Sequence, residues 1–381
     1  MSATHARPSS SRYLVSYEEL PPWSKHVPYI QSGYRRPGDA CVDKPTSKNT
    51  SSVDHVDEKK EQTHYLHDTF YKCWKSVWCY WHNETVNIHT HMWGAVIAIL
   101  LLFLQLADLH EWLPGGPWPI FSLHTLPSPD ILERYPGLGL RIAQADAQTQ
   151  RLGYVRAPPD DLAFLSVFLL SAMACLGCSA TYHTVACHSE RTALSYNRLD
   201  YAGIVLLIVG SNVPALHFGF HCHPHLRTLY TTLVTIWGTI ALYIVTQPKF
   251  TVPKYKTLRA MIFIALGLSA VLPVVHGFLI ARDWFFVTHV LGARFLMLSG
   301  AVYIGGALIY VAHIPERWSP YTFDYIGASH QIFHVCVLLG AWLHWLTVRQ
   351  AYTVWHSLET SAGEYSREAV CAVVHAATNQ A

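Results

Sequence analysis

The chain has 381 residues, 51% of them hydrophobic and only 14% charged, against about 25% charged in soluble domains. That balance excludes an ordinary soluble domain, and a formal net charge of +2 is too small to argue for nucleic acid as a partner. The apolar residues fall in blocks of about 20, the length that crosses a hydrocarbon core, so the chain reads as an all-α integral membrane protein.

Residues 1–64 are polar, rich in Ser, Pro and Lys, and contain no apolar stretch suited to a signal peptide. They are expected to form a disordered N-terminal tail, with membrane targeting left to the first spanning helix. The run Tyr71-Lys-Cys-Trp-Lys-Ser-Val-Trp-Cys-Tyr-Trp81 is aromatic and basic. It suits the headgroup layer, either as an interfacial helix or as an aromatic belt with no helix of its own.

Seven segments are then long and apolar enough to span, roughly 88–108, 162–186, 201–220, 227–246, 258–280, 290–313 and 331–355. Together they define a seven-helix membrane domain over residues 65–355. Residues 109–161 carry Pro114-Gly-Gly-Pro-Trp-Pro119 and Pro127-Ser-Pro129, which predicts a long loop with at most short helices. Residues 356–381 form a short polar tail. No internal repeat is visible.

Positive charge sets the expected orientation. Counted over the short loops, Arg191, Arg198, Lys249, Lys254, Lys256, Arg259 and Arg317 fall on one side and only Arg227 and Arg282 on the other; the charges of the long 109–161 loop are weaker topogenic evidence. Lys72 and Lys75, ahead of the first span, join the larger group. The N-terminus is therefore expected in the cytosol, with the C-terminus and the 109–161 loop outside or lumenal, in a plasma membrane or endoplasmic reticulum protein. The sequons Asn49-Thr-Ser51 and Asn83-Glu-Thr85 then lie in the cytosol, and neither is expected to carry a glycan. Cys175, Cys178 and Cys336 sit in apolar segments, where small packing residues are expected rather than disulfides or metal ligands.

Polar residues at membrane depth carry the functional signal. His183 ends the second span and Ser179 precedes it by one turn, while His330 and His334 share a face at the start of the seventh span. Asp200 stands at the start of the third. With the N-terminus inside, all of these fall in one layer near the cytosolic face. Three imidazoles leaving one open position make a catalytic type of zinc site. In that reading His183, His330 and His334 bind the metal, Asp200 orients or deprotonates the attacking water, and Ser179 hydrogen-bonds nearby. The competing reading has them as interhelical hydrogen-bonding groups.

Other polar groups are weaker candidates. Glu84, Asn87, His89 and His91 lie in the same layer and are expected mainly to cap or to hydrogen-bond at the interface, with support of the metal ligands next. His188 and Glu190 are read as structural. His221-Cys-His-Pro-His225 looks like a metal cluster but falls at the opposite face and is expected to be a solvated loop. His276 and His344 are lone helical histidines, read as packing.

The motifs Asn83-Glu-Thr-Val-Asn-Ile-His-Thr-His91, Tyr182-His-Thr-Val-Ala-Cys-His-Ser-Glu190, Leu199-Asp-Tyr-Ala-Gly203, Ile314-Pro-Glu-Arg317 and Ser329-His-Gln-Ile-Phe-His-Val335, in that order, resemble the progestin and adipoQ receptor family. That family contains the adiponectin receptors, fungal relatives and the hemolysin III proteins, and the likeness is to the fungal type. It spans about 65–355. The resemblance implies seven helices, a cytosolic N-terminus and zinc held at His183, His330 and His334, with Asp200 and Ser179 at the family's Asp and Ser positions. It also implies ceramide hydrolysis or a role in lipid and metal homeostasis. The long Pro-rich loop departs from the animal receptors, so no protein ligand is carried over.

The leading expectation is a zinc-dependent hydrolase of a ceramide-like lipid amide. Its rivals are a seven-helix signalling receptor with structural zinc and a zinc transporter. The transporter fits less well, because transport sites lie near the midplane between repeats.

Overall fold

The computed structural model describes residues 12–38, 66–109, 133–135, 159–361, 371, 372, 374 and 375. Seven stretches among them are helical, long and apolar enough to cross a membrane: Thr85–Leu106, Asp161–Val185, Glu190–Gly219, Pro224–Thr246, Pro253–Ala281, Ala293–Ala312 and Ser329–Trp355. The protein is accordingly a multi-pass membrane protein. The 109–161 loop lies mostly outside the described residues.

Helix α1 (Phe70–Cys79) precedes the spans, so the aromatic, basic run is helical. Thr69 caps it by accepting the Lys72 N–H, and Cys73, Ser76 and Val77 form its buried face. Phe70, Tyr71, Trp74 and Trp78 are left on the outside. The bundle follows as α2 (Thr85–Leu109), α3 (Pro159–Val185), α4 (Glu190–Gly219), α5 (Pro224–Thr246), α6 (Lys256–Leu268), α7 (Val271–Ala281), α8 (Ala293–Ala312) and α9 (Ser329–Ser361). The fifth span is two helices because Pro273 has no N–H to donate to the Ser269 carbonyl one turn back.

Neighbours in sequence pack as neighbours in space, α2 on α3, α3 on α4, α4 on α5 and α8 on α9, and α9 closes the ring against α2 and α4. Small residues allow the closest approaches. A Cβ on Gly203 of α4 would stand 2.9 Å from the Cys175 backbone of α3, and one on Gly306 of α8 would stand 2.6 Å from Cys336 Cβ of α9. Cys175, Cys178 and Cys336 are free thiols among these packed helices, as expected. Large side chains such as Ile97, Leu100, Trp237 and Leu272 remain exposed on the outer surface, where hydrocarbon would cover them.

The structure differs from the sequence reading in three places, the first two of them beside the site. Helix α4 begins at Glu190 rather than near 201. Ser189 caps it, accepting the Thr192 N–H at 3.4 Å, and its first turns are too polar to register as a span. Asp200 therefore lies well inside α4, not at its start.

Second, residues 12–38 are not a disordered tail. They form a folded strap with a short antiparallel pair, β1 (Leu14–Val15) and β2 (Tyr34–Arg35). Its polar groups find partners on the bundle: Gly33 O accepts the Asn83 N–H at 2.9 Å, and Asp324 accepts Gln31 N–H and Ser32 Oγ at 3.1 and 2.6 Å. Leu14, Val15, Leu20 and Ile30 are buried beneath it, but four scattered apolar residues in a polar segment form no block or periodicity that the sequence would show.

Third, α9 runs on to Ser361, and Cys371 in the tail forms a disulfide with Cys222. The sequence motif around Cys222 drew attention to its histidines and not to this pairing.

Candidate metal centre

His183 lies in the last turn of α3, and His330 and His334 lie in the first turns of α9. The i, i+4 spacing stacks the α9 pair on one face, and the two helix ends meet. The three ring centroids form a triangle with every side 4.9 Å. One nitrogen from each ring lies within 4.8 Å of the other two. His183 and His334 are buried, each 2% exposed.

Two of the rings are held through Nδ1. Glu84 Oε2 accepts from His183 Nδ1 at 2.8 Å, and the Asn87 carbonyl accepts from His334 Nδ1 at 3.1 Å. These acceptors place the proton on Nδ1 and leave the Nε2 lone pair free. The Nε2 of His183 is buried with no hydrogen-bond partner among the described residues. An unpartnered nitrogen in a closed polar site costs stability, and a divalent ion removes that cost. The donor set therefore fits a metal ion.

Asp200 and Ser179 belong to the same neighbourhood. Both are buried; Ser179 stands one turn before His183 on α3, and Asp200 comes from α4, which packs on α3. The structure thus brings the three histidines together, with Ser179 and Asp200 buried on the adjoining helices α3 and α4.

It also adds residues that sequence reasoning missed or placed too low. Glu84, Asn87 and His91 form a stripe on the α2 side of the site. Asn87 Nδ2 donates to Glu84 Oε2 at 2.7 Å, and the His91 ring stacks on His334 at 3.7 Å between centroids. Both ring nitrogens of His91 are buried without a partner among the described residues. Their spacing of three and four residues was the available signal.

Arg35 could not have been found that way. It reaches from the strap, 4% exposed, and donates to His183 O at 2.5 Å, Thr184 O at 2.8 Å and Ser76 Oγ at 3.1 Å. A guanidinium at the C-terminal end of α3 satisfies carbonyls that the helix leaves open.

The start of α9 is pinned as well. Glu316, from the Ile314–Arg317 motif, accepts the Ser329 N–H at 2.7 Å and also the Ser329 hydroxyl. Burial pushes the Glu316 carboxyl up, but neighbouring His313 and the two Ser329 donors outweigh it and hold the group at about 2. An anion at a helix N-terminus is favourable, and here it fixes the residue just before His330.

The remaining candidates have other partners. His89 Nε2 bonds to Val77 O at 3.1 Å, tying α2 to α1. His188 bonds to Ser189 and Thr192 beside the α4 cap. His344 bonds to Ser211 O at 2.8 Å and His276 to the Tyr230 hydroxyl at 2.8 Å, so both join helices. His221 corrects the expectation of a solvated loop: it is 1% exposed and stacks on Trp355 at 4.4 Å, while His225 is exposed.

The chain matches the haemolysin-III related family model over residues 79–345. It is 32% identical over 344 residues to heptahelical transmembrane protein 3 of Arabidopsis thaliana, covering 88% of this chain and 86% of that one. It is 31% identical over 343 residues to the ADIPOR-like receptor IZH1 of Eremothecium gossypii, covering 90% and 85%. The adiponectin receptor protein of Drosophila melanogaster is 34% identical over 279 residues, 73% of this chain but 52% of its own length. With the matched region carrying every helix-borne residue of the histidine site, the chain belongs to the haemolysin-III related family of heptahelical, adiponectin receptor-like membrane proteins.

Proposed function

We propose that His183, His330 and His334 hold a zinc ion and that the protein hydrolyses the amide bond of a ceramide-like lipid. The observation that carries this reading is the convergence of three imidazoles beside a buried carboxylate inside a membrane bundle. Neutral imidazoles suit zinc, and three protein ligands leave a position for water or substrate. Bound there, zinc supplies Lewis acidity, polarising an amide carbonyl and lowering the pKa of water toward ~7.

The chain's own residues do the rest. Asp200 takes the proton from the attacking water and returns it to the departing amine as the C–N bond breaks and the C–O bond forms, giving a fatty acid and a long-chain base. In this reading Ser179, one turn before His183 on α3, hydrogen-bonds the Asp200 carboxylate and orients it. The helices keep bulk water out, and acyl chains can enter from the bilayer between them.

The reading includes a cytosolic N-terminus and an external C-terminus, supported by the Lys and Arg distribution. It also places the protein in lipid and zinc homeostasis, in the plasma membrane or endoplasmic reticulum. The receptor names of the insect and fungal relatives favour a second reading, a seven-helix receptor whose zinc is structural.

The test is release of long-chain base from ceramide by purified protein, with zinc measured on the same sample. Asp200→Ala is expected to lower turnover by ~10²–10⁴-fold at unchanged zinc content. Zinc-loaded wild type without turnover would favour the receptor.

A further inference from the structure

We infer that Glu84 is a positioning residue for the metal site, and that α2, which gives the site no ligand, sets the direction of two ligands supplied by other helices. The inference rests on the metal reading of the three histidines. Its basis is geometric. Glu84, the residue just before α2, has its Oε2 2.8 Å from His183 Nδ1 and 2.7 Å from Asn87 Nδ2, so one oxygen is gripped by the ligand on α3 and by the first turn of α2.

One turn on, the Asn87 carbonyl takes the Nδ1 proton of His334 from α9 at 3.1 Å. A second turn on, His91 lies flat against His334, with rings 3.7 Å apart and 11° from parallel. Thus α2, with the residue that precedes it, touches both ligand-bearing helices through three residues of one stripe. Each contact acts on Nδ1 or on the ring plane, and none competes for Nε2.

A carboxylate on the far nitrogen does two things to a ligating imidazole. It fixes the tautomer and orientation, and it makes Nε2 a stronger donor. Main-chain Asn87 O supplies the first to His334 and, being uncharged, less of the second. Glu84 supplies both to His183, the single ligand from α3, which has no second histidine on its own helix to share the load. Removal of such a partner lowers metal affinity by ~10–100-fold in comparable sites.

The experiment is zinc affinity of the purified full chain, measured by competition with a chromogenic chelator, alongside thermal unfolding of the metal-free protein. Glu84→Ala is expected to bind zinc ~10–100-fold more weakly. Glu84→Gln keeps an acceptor oxygen without the charge and is expected to recover part of that loss. His89→Ala, on the same helix but bonded to Val77 O, is expected to bind as wild type does.

Wild-type affinity in Glu84→Ala would overturn the positioning role, as would a loss shared equally by His89→Ala. If Glu84→Ala does not fold, Glu84→Gln at full wild-type affinity would overturn the part played by the charge. A wild type that takes up no zinc would sink the metal reading itself, a result separate from any difference among the variants.

Discussion

The bundle has two histidine-rich ends, and they behave differently. At the end covered by the strap, three rings point nitrogens at one another, and His183 Nε2 is buried without a protein partner among the described residues. At the other end, protein groups engage the histidines. His217 bonds Asp161 at 2.9 Å through Nε2 and Arg227 at 3.1 Å through Nδ1, and His221 stacks on Trp355. Histidine density alone does not make a metal site. What distinguishes the first end is that acceptors hold Nδ1 and leave the convergent nitrogens to an ion.

Removing a ligand is the strongest way to break this contrast. His334→Ala is expected to reduce zinc from about one per chain to a small fraction, read by elemental mass spectrometry on purified protein. Retention of full zinc would relocate the metal.

Deleting the strap's arginine probes how the site is supported. Arg35→Ala leaves the His183 and Thr184 carbonyls without their donor, at a cost of ~1–3 kcal/mol per buried group left unpaired. A fall in the thermal midpoint of the detergent-solubilised protein is the expected outcome. An unchanged midpoint would mean that the strap rests on the bundle without stabilising it.

Acid should loosen the start of α9. Glu316 is held at about 2, below its ordinary 4.5, so the unfolded chain binds more protons between those values. Its contribution is present in full above about pH 4.5 and is lost as pH falls toward 2. Glu316→Gln should flatten that part of an unfolding profile, and an identical slope in mutant and wild type would remove Glu316 as its source.

The smallest effect is expected at the far end. His217→Ala should leave zinc content unchanged while lowering stability, because Asp161 loses a buried partner. Lost zinc there would erase the distinction between the two ends.

Much of this was legible in the sequence, for physical reasons that also explain the gaps. Apolar blocks located the seven spans, because hydrocarbon tolerates nothing else. His183, His330, His334, Asp200 and Ser179 stood out because polar groups at that depth need partners. The start of α4 was misplaced because a helix extending beyond the hydrocarbon no longer needs apolar residues.

Glu84 was ranked too low because its partner, His183, is about 100 residues away and no local pattern links them. The strap was missed altogether, since Arg35 and Asp324 act through tertiary hydrogen bonds that leave no periodicity. The Cys222–Cys371 pairing likewise depends on where the tail after α9 returns.

The most direct test of the central claim is X-ray absorption at the zinc edge on the purified wild-type protein. The account predicts bound zinc with imidazole scattering and only nitrogen or oxygen neighbours at about 2.0–2.1 Å. No zinc, or sulfur neighbours at about 2.3 Å, would contradict it, because none of the three residues assigned to the metal is a cysteine.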